Sequence, residues 1–202
     1  MERRVIKGEA IGHEEKIFSV FEQYTEWINS GTQPKGKSNP SVELGKKLAI
    51  TTDQFNLIIN FKIMEDESDS EIVLDISSVI LKKYKVDSWS FDKGYWHKIN
   101  KELLQTEVSQ VVMPKKGKCN KFELEEEKTN RFKLLRNKHS AVESNINELE
   151  NRGLGRCPDR GFEHFKSYVC LGICAYNLHK IETKIRHDEM VKVKKIPMRV
   201  AA

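Results

Sequence analysis

Glu143 is the acidic residue whose neighbours in the sequence most clearly indicate a chemical role. It lies inside the cationic segment LLRNKHSAVESNINELE, and on a helix its carboxylate would follow His139 by one turn. Four basic residues stand just before that histidine: Arg131, Lys133, Arg136 and Lys138. An acid that can hold a metal ion, beside cations that attract a polyanion, is what metal-assisted chemistry at a phosphodiester requires.

A second acid, Asp92, ends the apolar stretch VDSWSF and is followed by KGY. The carboxyl ends of strands are where α/β sheets present catalytic groups, and a glycine two residues on lets the chain turn there. Asp92 and Glu143 are therefore the candidate catalytic pair and the candidate metal ligands. Two plainer interpretations stay open. Asp92 could cap a helix that starts near Tyr95, and Glu143 could be a solvated acid paired with His139 or Lys138.

Other polar side chains would surround this pair. His139 and Asn147 lie four residues either side of Glu143, so on a helix they share its face and would orient the carboxylate, contact DNA or simply pack. The candidate DNA-binding residues are Lys115, Lys116, Lys118 and Lys121 in a loop, with Arg131, Arg136 and Lys138 on the helix. Such cations can follow a phosphate backbone, although a charge run is also typical of a solvated face.

The composition is that of a polar globular protein with one main domain. The 202 residues are 38% hydrophobic and 32% charged, and 35 Lys and Arg against 30 Asp and Glu give a net charge of +5, which favours an acidic partner. The charged amino terminus is not a secretory signal, and the longest apolar stretch, near Tyr168 to Leu178, is too short to cross a bilayer. Four cysteines without a CxxC pattern indicate a reducing, cytoplasmic setting, with Cys170 and Cys174 on a buried helix face.

Hydrophobic periodicity and turn residues predict the elements that position these groups. The predicted strands are Ile17–Glu22, a hairpin of Leu48–Thr52 and Phe55–Ile63 that turns at Asp53, then Asp87–Phe91 and Val108–Met113. The predicted helices cover 72–84 and Tyr95–Leu104, a long region from Phe122 to about Asn151 broken near Asn137, and Phe162 to about Ile185. Strand, helix and strand in that order predict a right-handed parallel crossover, and so an α/β fold.

Four runs of the sequence resemble bacterial insertion-sequence transposases of the DDE class, ISNCY-like in type. They are RRVIKGEAIGHEEKIFSVFEQYTEWI (3–28), SFDKGYWHKINKELL (90–104), VVMPKKGK (111–118) and HSAVESNINELENRGLGRCPDRGFEHFKSYVCLGICAYNLHKI (139–181). Together they span nearly the whole chain, and the last is the most specific.

The resemblance implies an RNase H-like mixed sheet flanked by helices, and three carboxylates that hold two Mg²⁺ or Mn²⁺ ions to cut and join DNA. The second aspartate of the family's triad falls on Asp92, in FDKGY, and its glutamate on Glu143, in AVESNIN. The first aspartate has no counterpart. The resemblance therefore implies a carboxy-terminal fragment that lacks the first core strand and has an incomplete two-metal site.

The implied organisation is a lead-in segment with a short strand (1–30), an exposed loop (31–41), a partial catalytic core (42–185) and a basic tail (186–202). The implied partners are the DNA of the element ends, and a second copy of the chain or an intact transposase, in the bacterial cytoplasm at the nucleoid. Two alternatives remain. One is a non-catalytic remnant that binds DNA or an intact transposase, and the other is an unrelated metal nuclease whose third acid is Asp53 or Asp66.

Overall fold

The computed structural model describes residue 3 and residues 6–10, 12, 15–29 and 42–194. Within these residues the strands are β1 (Glu26–Asn29), β2 (Val42–Gly45), β3 (Leu48–Thr52), β4 (Ile58–Ile63), β5 (Ser88–Ser90) and β6 (Gln110–Val112). The α-helices are α1 (Ile72–Lys83), α2 (Lys98–Glu107), α3 (Lys121–Lys128), α4 (Asn130–Leu149) and α5 (Phe162–Lys194). A 3-10 turn (Lys93–Tyr95) precedes α2, and a π-helical turn (Glu150–Leu154) follows α4.

The described strands form three separate two-stranded sheets. β1 with β2 and β3 with β4 are antiparallel pairs, whereas β5 and β6 are parallel, with Trp89 opposite Val111. The parallel pair confirms the predicted order of strand, helix and strand and their parallel pairing, with α2 as the helix. The fold is therefore mixed α/β, with small sheets flanked by helices.

The β3–β4 hairpin lies between two apolar clusters because its side chains alternate between two faces. Ala49 and Ile59 face a cluster formed by α1, β5 and β6, in which Ile72 and Val73 are fully buried. The other face carries residues such as Ile50, which pack against the end of α4 and the amino-terminal half of α5. The hairpin thus connects the crossover unit to the carboxy-terminal helices.

The hairpin turn has the conformation that its sequence predicts. The Asp53 carboxylate accepts hydrogen bonds from the backbone N–H groups of Phe55 and Leu57, at 2.8 and 2.9 Å. Asn56 has a positive φ of 63°, which asparagine tolerates better than most residues. Asp53 is therefore a turn residue.

Helix α5 is held to the rest of the molecule by polar contacts as well as by its apolar face. The Asn177 amide accepts from the Ile58 N–H and donates to the Ile58 carbonyl, both at 2.9 Å. Lys180 pairs with Glu148 of α4 at 2.6 Å. Within the residues described, no helix is long and apolar enough to cross a membrane.

The lead-in segment packs on the start of α5. The Tyr24 ring lies 5.0 Å from that of Phe162 and 5.6 Å from that of Phe165, and the Glu22 carboxylate accepts from the Gly161 N–H. Burial, reinforced by the negative charge of Glu22, raises the pKa of the Tyr24 hydroxyl to about 12.

Several predicted boundaries are wrong. Residues 17–22 are not a strand, and the strand of this segment is β1 further on. The long helical region breaks at Thr129, not near Asn137, because the Thr129 hydroxyl caps α4 by accepting from the Phe132 N–H at 3.3 Å.

Two further predictions concern the carboxy-terminal helix and a loop. The last helix continues past Ile185 to Lys194, so the first part of the predicted tail is helical. Cys170 and Cys174 are exposed, not buried. The predicted loop over 30–41 and residues 195–202 of the predicted tail lie outside the described residues.

Candidate active site

Asp92 stands directly beyond the parallel strand pair, where the sequence predicts it. The Phe91 N–H donates to the Val112 carbonyl at 2.8 Å, which extends the pairing by one residue and fixes the backbone before the acid. The Asp92 backbone carbonyl accepts from Tyr95, but its side chain makes no capping hydrogen bond. Asp92 therefore occupies the N-cap position of the 3-10 turn, but its exposed carboxylate does not cap it.

Glu143 is exposed on α4, the helix that contacts both β5 and β6. Within the described part of the chain it forms no ion pair, so the pairing with Lys138 or His139 is not seen there. Asn147, one turn on, is also exposed and accepts from the Asn151 amide at 3.1 Å. Glu143 thus has no neutralising cation among the described side chains.

The charges of both acids act on one side chain, the imidazole of His139. Burial lowers the pKa of its half-buried imidazole, while the nearby charges of Asp92 and Glu143 and a hydrogen bond to the Ser90 backbone act to raise it. Two carboxylates far apart in the chain therefore act on the same ring. The ring also connects α4 to β5 just before Asp92.

The 3-10 turn after Asp92 is shaped by an acid that the sequence did not reveal. A Cβ atom on Gly94 would lie 2.5 Å from Oδ2 of Asp69, so glycine is needed here for close approach and not for a special turn. Burial, followed by the charges of Asp69 and Asp92, raises the pKa of Tyr95 to about 12. Only the three-dimensional packing reveals Asp69, because nothing in its local sequence marks it.

Asp69 does not turn the pair of acids into a three-ligand cluster. Among the residues described, no three His, Cys, Asp or Glu side chains are grouped so that they could hold a metal ion. Asp66 adopts a left-handed backbone conformation with φ of 57°, and its N–H bonds to Glu26 at 3.1 Å. The acids proposed for an independent nuclease, Asp53 and Asp66, therefore occupy turns.

Most of the predicted DNA-binding cations are free to meet a ligand. Lys116, Lys118, Lys121, Arg131, Arg136 and Lys138 are exposed, and within the described ranges none of them forms an ion pair. Arg136 precedes Glu143 by two turns and lies about 20° from it around the helix, whereas Arg131 and Lys138 point more than about 100° away. Arg136 is thus the helix cation best aligned with the carboxylate.

Lys115 differs from the other lysines of its loop. Its ammonium group contacts both carboxylate oxygens of Glu123 at 2.8 Å and lies 5.3 Å from the centre of the Trp96 ring. Its backbone N–H also donates to the Glu127 carboxylate at 3.2 Å. The charge of Lys115 is therefore largely satisfied within the chain.

Two buried polar atoms near these elements lack hydrogen-bond partners in the described part of the molecule. They are the hydroxyl oxygen of Ser90, two residues before Asp92, and the amide nitrogen of Asn145, two residues after Glu143. Asn145 is only 3% exposed. An unpaired buried donor is destabilising by about 1–3 kcal/mol, so both atoms mark places where stability is not optimal.

A family model for the transposase DDE domain matches residues 13–178. Since that match covers most of the chain, the protein belongs to this family. The family acts in DNA transposition, binds DNA and generally uses divalent metal ions. No curated protein and no solved structure matches the chain.

Proposed function

We propose that Asp92 and Glu143 form the metal-dependent site at which this protein cuts and joins the DNA of a bacterial insertion element. One observation carries the proposal: both carboxylates act on the same imidazole, that of His139, although they come from a strand end and a helix. Both acids are exposed, and neither is neutralised by a cation in the residues described. A bound cation would stabilise such uncompensated acids.

These oxygens suit a hard divalent cation. Mg²⁺ is commonly held by one or two carboxylates, with water and substrate phosphate in the remaining positions, and Mn²⁺ accepts the same ligands. Asp92 and Glu143 would hold the ion, which when bound would activate the attacking oxygen and stabilise the leaving one. A third acidic ligand would strengthen the binding of the ion at this open site.

The chain's own residues would position the DNA and the acids. The half-buried His139 lies between α4 and the Ser90 backbone of β5 and would help to fix the approach of the helix to the strand. Arg136 shares the face of Glu143 and would bind a phosphate next to the site, while Asn147 lies one turn further along that face. Lys116, Lys118, Lys121, Arg131 and Lys138 would bind phosphates further away.

We assign the strands of residues 42–185 to a single RNase H-like core in which a further strand would join the hairpin to the parallel pair. Both pairs contribute to the apolar cluster under α1, yet they share no strand pairing in the described chain. In this assignment residues 1–30 form the lead-in segment and residues 186–202 a basic extension. Since transposition acts on chromosomal DNA, we place the protein in the bacterial cytoplasm at the nucleoid.

The alternative is a remnant that binds DNA, or an intact transposase, without cutting. The absence of any three-ligand group in the described residues favours it, because two carboxylates alone make a weak metal site. The two functions differ in one property, which is whether the acids bind a metal ion that supports strand cleavage.

The test compares Asp92→Asn and Glu143→Gln with matched controls at two other exposed acids, Asp87→Asn and Glu125→Gln. Mn²⁺ binding is followed by electron paramagnetic resonance, and nicking by conversion of supercoiled plasmid to the open form. We expect each site variant to weaken Mn²⁺ binding at least tenfold, since even outer-shell partners of a metal are worth about 10- to 100-fold.

Three outcomes are distinguishable. Metal binding and nicking that both disappear in the site variants support the proposal. DNA binding without Mn²⁺ binding or nicking in the wild type identifies the non-cutting remnant. Nicking that persists in Asp92→Asn and Glu143→Gln shows that the site assignment is wrong.

A further inference from the structure

The carboxylate of Asp69 lies beside the turn that follows Asp92, yet the proposed function gives it no role. Its Oδ2 atom is so close to Gly94 that a Cβ atom there would be only 2.5 Å away. Asp69 is half-buried, and within the described residues its carboxylate forms no hydrogen bond and no ion pair. A half-buried charge without a partner is unfavourable, so it indicates a group that gains its partner when a ligand binds.

The fold holds Asp69 in place through its two neighbours in the chain. On one side, the backbone N–H and the hydroxyl of Ser68 both donate to the Glu71 carboxylate at 2.7 Å. On the other side, the Ser70 carbonyl accepts from the amide of Asn100, a residue of α2 that is 7% exposed, at 2.7 Å. The position of the Asp69 carboxylate is therefore set by its backbone and not by a partner of its own.

Asp69 extends the negative charge of the candidate site. Asp92 and Glu143 both act on His139, and Asp69 and Asp92 both act on the Tyr95 hydroxyl. The three acids therefore form a series in which Asp92 is the shared member. Asp69 lies at the end of this series opposite to Glu143.

We propose that Asp69 is a positioning residue of the candidate site, whose carboxylate accepts hydrogen bonds from water molecules on the cation that Asp92 and Glu143 hold. This inference rests on the proposed function. Water has to bridge the gap, because no three acidic, histidine or cysteine side chains in the described chain are grouped to hold an ion directly. Mg²⁺ usually keeps several of its water molecules, and a carboxylate just beyond the ligands would bind them.

Gly94 sets the place of the Asp69 carboxylate. Gly94 is not among the described glycines with positive φ, so the space beside it, and not its backbone conformation, calls for glycine. An alanine at this position would push the Asp69 carboxylate aside, because the nearest atom is the end of a side chain. Gly94→Ala thus displaces Asp69 without removing any acid.

The first experiment measures the affinity of the full chain for Mn²⁺ by electron paramagnetic resonance. We expect Asp69→Asn to weaken binding about tenfold, as for other groups that bind the ligands of a metal, and Gly94→Ala to weaken it similarly. The double variant should bind no more weakly than the weaker single variant, because both changes remove the same interaction. Losses that add in the double variant contradict the role of Gly94 in placing Asp69.

The matched controls are Asp66→Asn and Gly45→Ala. Asp66 is an exposed acid three residues before Asp69, and asparagine tolerates its positive φ. Gly45 has open space where a Cβ atom would lie. Both controls should bind Mn²⁺ as the wild type does. An equal loss in Asp66→Asn and Asp69→Asn would show that only the overall charge matters, and would overturn the proposal.

The second experiment separates this role from a purely structural one. An acid just before α1 could simply stabilise the amino terminus of that helix. In that case Asp69→Asn would lower the melting temperature without metal and leave Mn²⁺ affinity unchanged, which would overturn the proposal. We expect the opposite result, since the carboxylate has no hydrogen bond to lose.

The third experiment counts the water molecules on bound Mn²⁺, from the proton relaxation of bulk water at saturating metal. Asp69→Asn should leave the count unchanged, because its carboxylate does not touch the ion. Asp92→Asn should raise the count, because water replaces a direct ligand. A higher count in Asp69→Asn would make Asp69 a direct ligand and the bridging role wrong.

Failure of this inference differs from failure of the proposed function. Mn²⁺ binding that is lost in Asp92→Asn and Glu143→Gln but unchanged in Asp69→Asn contradicts the role of Asp69 alone. A wild type that binds no Mn²⁺ contradicts both.

Discussion

At the scale of single residues, the candidate site is distinguished by two acids, distant in the chain, whose charges act on one histidine. Elsewhere in the described chain acids are commonly paired, as in Lys101 with Glu126 at 2.8 Å and Lys115 with Glu123 at 2.8 Å. Asp92 and Glu143 instead share the neighbourhood of one histidine. The assignment of both acids from their setting in the sequence stays a prediction, whereas Asp69 could not be anticipated at all, because its approach to Gly94 joins two loops across space.

Two buried asparagines allow a matched test of the unpaired polar atoms. The Asn100 amide donates to the Ser70 carbonyl at 2.7 Å, whereas the amide nitrogen of Asn145 has no partner among the described residues. We expect Asn100→Ala to lower the free energy of unfolding by about 1–3 kcal/mol, since it leaves a partly buried carbonyl unsatisfied. Asn145→Ala should cost at least about 1 kcal/mol less, because it removes an unsatisfied group.

Urea denaturation of both variants and the wild type measures this difference. Both changes remove a similar side chain from a helix and leave a similar cavity, so the cavity effects cancel in the comparison. An Asn145 variant as unstable as the Asn100 variant would mean that its amide has a bound water as partner.

At the scale of elements, the sequence predicted those elements that are stabilised by residues close together in the chain. The helix from Ile72 and the hairpin at Asp53 follow from apolar spacing and turn chemistry, and both are confirmed. The strand predicted over 17–22 is wrong, because the alternation of hydrophobic residues specifies only an apolar face. A strand also needs a partner that lies elsewhere in the chain. Val20 and Phe21 are 77% and 84% exposed.

Cys170 and Cys174 were assigned to the wrong face of α5 for a similar reason. Their run is apolar on every side, so its composition alone does not identify the buried side. The polar Asn177 gives the orientation only once its contacts with Ile58 are known.

Asn177 should be a principal attachment of α5 to the hairpin. Asn177→Ala removes both hydrogen bonds to the Ile58 backbone, and we expect it to lower the free energy of unfolding by about 2–3 kcal/mol. The control His179→Ala, at an exposed position of the same helix, should change it by less than about 0.5 kcal/mol. Equal midpoints for the two variants in thermal or urea denaturation would show that the apolar contacts of α5 suffice.

At the scale of the whole molecule, the basic surface is less uniform than the sequence predicted. The charge count suggested that all four lysines of the loop contact DNA, but the folded chain places Glu123 and Glu127 against Lys115. Acids that lie only a few residues further along the sequence thus change which cations face solvent.

This arrangement predicts unequal effects on DNA affinity. Lys116→Ala combined with Lys118→Ala should weaken binding to duplex DNA and reduce the salt dependence of the logarithm of affinity by about 2, one for each lysine that no longer neutralises a phosphate. Lys115→Ala should leave the salt dependence nearly unchanged, because its ammonium group is already paired. Fluorescence anisotropy across a salt series measures both, and equal slopes for the two variants would contradict the assignment of the exposed lysines to DNA.

The separate sheets have a further consequence for the behaviour of the chain outside the cell. Every strand in the described residues has a neighbour on one side only, so every strand is an edge strand with backbone groups open to a new partner. Heating or concentrating the protein therefore favours strand addition between molecules over orderly refolding. Aggregation at high temperature or concentration will therefore set the conditions under which this transposase domain can be purified and stored.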